Sequence, residues 1–174
     1  MHVTLAFIDD AMEAMLLRAL FENLHCRVDW RPIGRPSDFF TAFEGTGELG
    51  VVSGHGDEKG FVFPEMAPGI DSLTLPDNRI SPALLEGFSR LPPVLLSTAC
   101  GSGTAAFAAA FHANGVGLYI APMGYPDGAA VPILVGLAAY LVIERHLGWP
   151  EAIEQANSQL APENHFRVFE AAAA

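Results

Sequence analysis

Apolar runs of strand length alternate with segments of helical periodicity along most of the chain. Residues 2–8 form a nearly continuous apolar run, and the next segment, 11–25, repeats its apolar positions at helical spacing. Arg18 and Glu22 lie on the polar side of this predicted helix. The pattern predicts an amphipathic helix whose apolar face is formed by Met12, Met15, Leu16, Ala19 and Leu20.

The same pattern, followed along the whole chain, predicts an α/β fold. Apolar runs predict main strands at 2–8, 26–33, 48–54, 92–99 and 115–124. Helical segments are predicted at 11–25, 36–45, 104–115, 129–143 and 150–160, and a further one at 82–91 has Ser81 as its cap. Short strands at 60–63 and 72–77 predict a small β-hairpin insert. We therefore expect a mostly parallel central sheet flanked by helices on both faces.

Composition and charge narrow the classes of partner. The chain has 174 residues, of which 51% are hydrophobic and 17% charged, so it can bury the core of one folded domain. Its net charge of −11 argues against nucleic acid and anionic membranes, which require Lys and Arg. The longest apolar stretch, 129–143, is shorter than the roughly 20 residues of a membrane-spanning helix, and is predicted to be a buried helix.

The cysteines and histidines indicate the compartment and exclude common metal sites. Cys26 and Cys100 are too few for a disulfide framework, and Asp9 and Asp10 interrupt the first apolar run too early for a signal sequence. A reducing, cytoplasmic location is the expectation. The histidines show no paired ligand spacing, so we expect neither a metal nor another cofactor.

Two chemically active residues follow two of the predicted strands. His55 lies just beyond the third strand in "SGHG", and Cys100 lies just beyond the fourth in "STACGSG". Ligands of an open parallel sheet bind beyond the carboxyl ends of its strands. If the two strands are neighbours, a thiol nucleophile and its base or proton donor face one cleft.

Glycines surround both residues and favour the same chemistry. A turn rich in backbone N–H groups at Cys100, followed by a helix from about Thr104, is expected to lower the pKa of the thiol. Gly54 and Gly56 flank His55, so a substrate backbone can approach closely, and the Gly56 N–H can donate to a developing oxyanion. Cys26 has no such turn and is interpreted as structural.

These residues resemble the caspase-like cysteine peptidases of clan CD, and most closely their CHAT-domain branch. The family's "HG" and "L-x-L-x-D" hairpin are similar to His55-Gly56 and "SLTLPD", and its "L-S-A-C-x-[ST]-G" is similar to "LSTACGSG". Of the caspase signature, in which a His lies about 50 residues upstream of the Cys, Ala99, Cys100 and Gly101 match. The resemblance covers about residues 3–160, which implies one caspase-like domain over 1–162 and a tail over 163–174.

The resemblance implies a cysteine endopeptidase that acts on peptide or protein substrates. Cys100 would attack the scissile carbonyl to form a thioacyl enzyme, and His55 would polarise that carbonyl or protonate the leaving group. The N–H groups of Gly56 and Cys100 would hold the oxyanion. Some relatives keep the fold without peptidase activity, so a catalytically idle binding or scaffold module is the alternative.

The loop after the fifth predicted strand is a candidate for substrate specificity. In the family this loop helps to form the pocket for the residue before the cut, and Asp127 is its only charge. A carboxylate there would favour Arg or Lys in a substrate. The competing interpretation is that Asp127 caps the long apolar helix that begins near Ala129.

Two other enzyme classes share single features with the chain. Asp9-Asp10 after the first strand is similar to a response-regulator receiver, but the third strand ends in "SGHG" and no Lys follows the fifth. We interpret the pair as a helix N-cap. A thiol hydrolase of the glutamine-amidotransferase kind needs a His after the Cys, and no His after Cys100 follows a predicted strand.

Overall fold

The computed structural model describes residues 1–44, 47–67, 69–71, 73, 75–88 and 91–172. Its strands are β1 (His2–Ile8), β2 (Arg27–Pro32), β3 (Leu49–Gly54), β4 (Gly56–Asp57), β5 (Gly60–Val62), β6 (Arg79–Ile80), β7 (Val94–Ser97), β8 (Leu118–Pro122) and β9 (Phe166–Glu170). Its α-helices are α1 (Ala11–Asn23), α2 (Pro36–Thr41), α3 (Ala105–Ala113), α4 (Ala130–Ile143) and α5 (Trp149–Asn157).

Six of these strands form one sheet in the order β2-β1-β3-β7-β8-β9. The first five are parallel to one another, and β9 is antiparallel to β8. The short strands β4, β5 and β6 form a separate antiparallel sheet directly after β3. The predicted α/β class and the parallel central sheet are confirmed, and the proline-ended β2 is an edge strand.

The sheet separates two apolar cores, because side chains alternate between its faces. On one face, β1 and β3 pack with α1, α4 and α5; on the other, they pack with α2, α3 and the insert. Val51 lies in the first core and its neighbour Val52 in the second, and both are fully buried. Helices therefore cover both faces, as predicted. No helix in the described part of the chain is long and apolar enough to cross a membrane.

The predicted inward face of α1 is wrong. The buried residues of this helix are Ala14, Leu17 and Phe21, whereas Met12 is 74% exposed and Met15 50% exposed. The helix carries two adjacent apolar stripes, and periodicity alone does not say which one meets the sheet. The stripe of Ala14, Leu17 and Phe21 packs on the sheet, and the methionine stripe faces outward.

Several other elements differ from their predicted type or boundaries, because backbone pairing in the structure outweighs the local sequence pattern. The segment 163–174 showed no pattern, yet β9 pairs with β8 and extends the sheet by one strand. In the insert, β5 pairs with β4 and β6, and Pro76–Asn78 is a 3₁₀ turn, so the strand predicted at 72–77 is wrong in its described part. The helix predicted at 82–91 is a 3₁₀ turn over Pro82–Gly87. Gly45, Ser72, Thr74, Ser89 and Arg90, which fall in predicted elements, lie outside the described residues.

Candidate active site

Adjacent strands carry the turns that contain His55 and Cys100. β3 and β7 are parallel neighbours whose last registered pair is Val52 with Ser97, and the Thr98 N–H donates to the Val52 carbonyl at 2.9 Å. His55 and Cys100 each lie three positions beyond a member of that pair. The two strands therefore deliver both residues to the carboxyl edge of the sheet at equivalent points of their paths.

The two turns touch through their glycines. A Cβ on Gly56 would lie 2.8 Å from the Ala99 Cβ and 2.9 Å from the Cys100 carbonyl oxygen. A Cβ on Gly101 would lie 2.8 Å from the carbonyl carbon of Asp57, and its φ of +65° is in the left-handed region that favours glycine. Glycine at both positions is what allows the backbones beside His55 and Cys100 to approach this closely.

Hydrogen bonds from buried hydroxyl groups hold the Cys100 turn in place. The Ser102 hydroxyl donates to the Ala99 carbonyl at 2.6 Å, and the Ser97 hydroxyl accepts from the Ala99 N–H at 3.2 Å. The two serine oxygens are 2.9 Å apart, and the Tyr119 hydroxyl donates to the Ser102 carbonyl at 3.0 Å. Because Ser97, Ser102 and Tyr119 are fully buried, these bonds are shielded from water and fix the turn.

The loop after β8 closes a third side of the site. The Gly101 N–H donates to the Gly124 carbonyl at 2.7 Å, so this loop packs directly against the Cys100 turn. Farther out, the Tyr125 hydroxyl donates to Glu58 at 2.9 Å, which links the same loop to the turn between β4 and β5. Loops after β3, β7 and β8 thus converge at one edge, as predicted for a cleft in an open parallel sheet.

Glu13 adds a carboxyl group that the sequence analysis did not identify. It lies in the first turn of α1, where it accepts hydrogen bonds from the hydroxyls of Ser53, at 2.7 Å, and of Thr98. Burial raises its pKa, while these two bonds and the electrostatic influence of His55 lower it in part. The signal in the sequence was positional: α1 begins at the carboxyl end of β1, the edge at which His55 and Cys100 lie.

The predicted lowering of the Cys100 pKa is wrong. Burial raises the pKa of this thiol, and the Glu13 carboxylate raises it further, while the residue's own backbone N–H lowers it. The predicted helix does follow the turn, with Thr104 capping α3 through a bond from the Phe107 N–H. In this partly buried turn the loss of hydration and the nearby negative charge outweigh the backbone dipoles.

Asp127 lies on the third loop but has an exposed side chain. Its N–H donates to the side chain of Asn164 at 2.8 Å, and its carbonyl accepts from the Ala130 N–H at 2.8 Å at the start of α4. Within the described residues, no hydrogen bond or ion pair joins its carboxylate to another group, including the backbone of α4. The carboxylate is therefore free to meet a ligand from solvent.

The helix cap predicted at Asp9-Asp10 is present. The Asp10 carboxylate accepts from the Glu13 N–H at 3.1 Å, which makes it the N-cap of α1. Among the residues that the structure describes, no group of three or more His, Cys, Asp or Glu side chains is placed to hold a metal ion.

The chain is similar in fold to solved cysteine proteinases. The crystal structure of the Arg-specific cysteine proteinase gingipain R (RgpB) matches 97% of this chain with a TM-score of 0.65 and 15% sequence identity. A complex of Porphyromonas gingivalis RgpB pro- and mature domains matches the same share with a TM-score of 0.64 and 15% identity. The chain spans about half the length of these structures, 46% of each. No family model and no curated protein sequence matches it.

Proposed function

We propose that the chain is a cysteine endopeptidase of the caspase-like type, nearest the CHAT-domain branch, with Cys100 as nucleophile and His55 as its proton acceptor and donor. The observation that carries the proposal is the contact between the two glycine turns that bear these residues. The caspase-like fold shared with cysteine proteinases supports it, and the motifs "SGHG" and "LSTACGSG" support the branch.

The proposed reaction proceeds in two stages. The Cys100 sulfur attacks the scissile carbonyl carbon, its proton passes to His55, and the N–H groups of Gly56 and Cys100 stabilise the oxyanion. The C–N bond then breaks as His55 returns the proton to the leaving amine, which leaves a thioester on Cys100. Water gives a proton to His55 and attacks this thioester; the C–S bond breaks, the acid is released and the thiol regains its proton.

Asp127 is proposed to select substrates with Arg or Lys before the cut. Its exposed carboxylate lies on the loop that packs on the Cys100 turn. No other described side chain forms a hydrogen bond or ion pair with this carboxylate. A charge-assisted hydrogen bond of roughly 1.5–3 kcal/mol would favour a basic side chain. If peptides with Asp or a neutral residue before the cut are cleaved faster, or if Asp127→Ala keeps the preference for Arg, this assignment is wrong.

An idle scaffold of the same fold is the second candidate, and one observation favours it. Burial and the Glu13 carboxylate both raise the pKa of the Cys100 thiol, which disfavours the reactive thiolate. In a peptidase, His55 must then remove this proton as the substrate binds. A scaffold would bind peptides or proteins through the same cleft and cleave none of them.

We further propose that the chain works in a reducing compartment such as the cytoplasm. Cys26 and Cys100 are both free thiols, and a nucleophilic Cys100 must remain reduced to act.

Cleavage of a peptide library tests the proposal against the scaffold. We expect wild-type protein and the Cys26→Ala variant to cleave the same peptides, and the Cys100→Ala variant to cleave none while it keeps the thermal stability of the wild type. A Cys100→Ala variant that cleaves as the wild type does would refute the nucleophile. Peptides that bind the wild-type cleft without any cleavage would identify the scaffold.

A further inference from the structure

An apolar groove runs between α1 and α4 on the outer surface of the molecule. It has a volume of about 1000 Å³ and is lined by Met12, Met15 and Leu16 from α1 and by Pro132, Ile133 and Leu137 from α4. These α1 residues belong to the stripe that was expected to pack inward. Met12 is 74%, Ile133 59% and Met15 50% exposed, so a contiguous apolar surface lies in water.

Close packing of the two helices creates this groove. α1 follows β1 and α4 follows β8 on the same face of the sheet, so the helices run in the same direction. A Cβ on Gly136 would lie 3.1 Å from Leu20 Cδ1, which shows how closely α4 approaches α1. The apolar positions at Ile133, Gly136 and Leu137 have the spacing of one helix face, as do those on α1. Contiguous apolar surfaces of this kind mark interaction sites.

The charge around the groove defines what would bind there. Asp10 lines its end at the carboxyl edge of the sheet, and Asp9 precedes it with an exposed side chain. Glu13 also lines this end, but its carboxyl group accepts hydrogen bonds from Ser53 and Thr98. The whole chain carries a net charge of −11. A second copy would bring the same negative charge and the same acidic groove end, which disfavours self-association. A partner with positive charge is favoured by the groove end and by the chain as a whole.

The apolar lining defines the form of the partner. Two parallel helices with apolar stripes at i, i+3 and i+4 spacing leave a groove that accepts the apolar face of a third helix. Methionine side chains are flexible and polarisable, so Met12 and Met15 can adapt to different apolar residues.

We propose that the groove between α1 and α4 is a docking site for a basic amphipathic helix of a partner protein. The apolar face of that helix covers the stripes of α1 and α4, and its Lys or Arg residues lie beside Asp9 and Asp10 at the groove end. The proposal does not depend on whether Cys100 is a nucleophile.

Binding of a model helix to the full chain tests this proposal. The probe is a synthetic helix of leucine and lysine, about 18 residues or five turns long, with all leucines on one face. Fluorescence anisotropy should show saturable binding of one helix per chain. A peptide of the same composition, shuffled so that no apolar face forms, should bind at least about tenfold more weakly.

Substitutions in the protein locate the binding site. Met15→Glu and Ile133→Glu should each weaken binding about tenfold. Met123→Glu is the matched control, because Met123 is 61% exposed but lies outside the groove, and it should change binding less than twofold. Asp10→Asn keeps the helix cap but removes the charge, and should weaken binding and reduce its dependence on salt.

Several results would overturn the proposal. Equal binding of the ordered and shuffled peptides would mean that only net charge attracts them, and equal loss in Met123→Glu would place the site elsewhere. Stronger binding of a leucine–glutamate helix would exclude a basic partner. A dimer in sedimentation that Met15→Glu converts to a monomer would make this face an interface between copies of the chain.

Discussion

The two cysteines of this chain share a raised thiol pKa but differ in burial, in their position relative to the sheet and in their neighbours. Burial is the largest cause that raises the pKa of each. Cys26 is 7% exposed, precedes an edge strand, belongs to the apolar core and has its sulfur 3.8 Å from the Leu24 carbonyl. Cys100 is partly exposed and lies three residues beyond the central strand β7, in a glycine turn that touches the turn of His55.

This comparison shows that neighbours, and not the pKa of the free thiol, distinguish a candidate nucleophile from a core residue. The raised pKa disfavours the thiolate form of both cysteines. Cys100 is partly exposed and lies in a turn that contacts the turn of His55, whereas Cys26 is buried in the apolar core. The following predictions are ordered by the size of the expected effect.

The largest effect is expected from the removal of the proposed base. His55→Ala should lower peptide hydrolysis by about 10²–10⁴-fold, because His55 is the proposed acceptor and donor of the Cys100 proton. The rate at which a peptide electrophile modifies Cys100 should fall as well, while the reaction of Cys26 with iodoacetamide should not change. His146→Ala, at an exposed histidine beyond α4, is the control and should leave both rates intact. An unchanged hydrolysis rate in His55→Ala would remove His55 from the mechanism.

The contact between the two turns is the next feature to test. Gly101→Ala combines a left-handed φ with a Cβ placed 2.8 Å from the Asp57 carbonyl carbon, so it must push the His55 and Cys100 turns apart. Gly115 has a φ of +90°, but no atom lies within 4 Å of a Cβ added there. The Gly115→Ala variant therefore measures the cost of backbone strain without a steric contact.

The two variants separate strain from the loss of contact. Gly115→Ala should cost roughly 1–2 kcal/mol of unfolding free energy and leave activity intact. Gly101→Ala should cost roughly 1–3 kcal/mol more, as an overpacked contact does, and should also lose activity. Chemical denaturation and peptide hydrolysis measure both. Equal stability and full activity in both variants would show that the contact does not position the site.

The structural role of Cys26 gives a smaller expected effect. Cys26→Ser places a hydroxyl in the apolar core and should lower the free energy of unfolding by roughly 1–3 kcal/mol. Cys100→Ser, in a partly exposed turn, should change it by less than about 0.5 kcal/mol. The opposite ranking in chemical denaturation would mean that Cys100 is the core residue.

The smallest expected effect is that of nearby carboxylates on the pKa of each thiol. The Glu13 carboxylate disfavours the Cys100 thiolate, so Glu13→Gln should lower the pKa of Cys100 and speed its alkylation at neutral pH by a few-fold. Glu48→Gln should do the same for Cys26, whose pKa is raised by Glu48. Each thiol is measured as a function of pH with the other cysteine replaced by alanine.

The electrostatics predict the direction in which each thiol pKa changes. Glu13→Gln should shift the alkylation midpoint of Cys100 to lower pH and leave that of Cys26 unchanged, because Glu13 does not contribute to the pKa of Cys26. A shift of Cys100 to higher pH would mean that Glu13 supports the thiolate, contrary to the electrostatics of the site.

Local pattern predicted most of the fold because the central strands are nearly continuous apolar runs separated by segments of helical periodicity. The pairing of β3 with β7 was the condition on which the cleft was predicted, and the structure shows that these strands are neighbours. β9 was missed because "FRVFE" at an edge is neither alternating nor fully apolar, and its pairing with β8 is a long-range contact. The inward face of α1 was missed because both of its stripes are apolar.

The site was predictable to the level of its turns and no further. Strand ends and glycines identified the positions of His55, Gly56 and Cys100 as candidates. The carboxyl group of Glu13 was not identified, because its contact with Ser53 and Thr98 joins residues 40 and 85 positions apart. The direction of the Cys100 pKa was wrong for the same reason, since burial and a distant carboxylate decide it.

The most direct test is to treat the protein with a peptidyl electrophile that mimics a scissile carbonyl and to locate the adduct by peptide mass spectrometry. Iodoacetamide, run in parallel, shows whether the Cys100 thiol can be reached at all. The account predicts one adduct, on Cys100, that forms far more slowly in His55→Ala. An adduct on Cys26, or no adduct with the peptide reagent when iodoacetamide modifies Cys100, would contradict it.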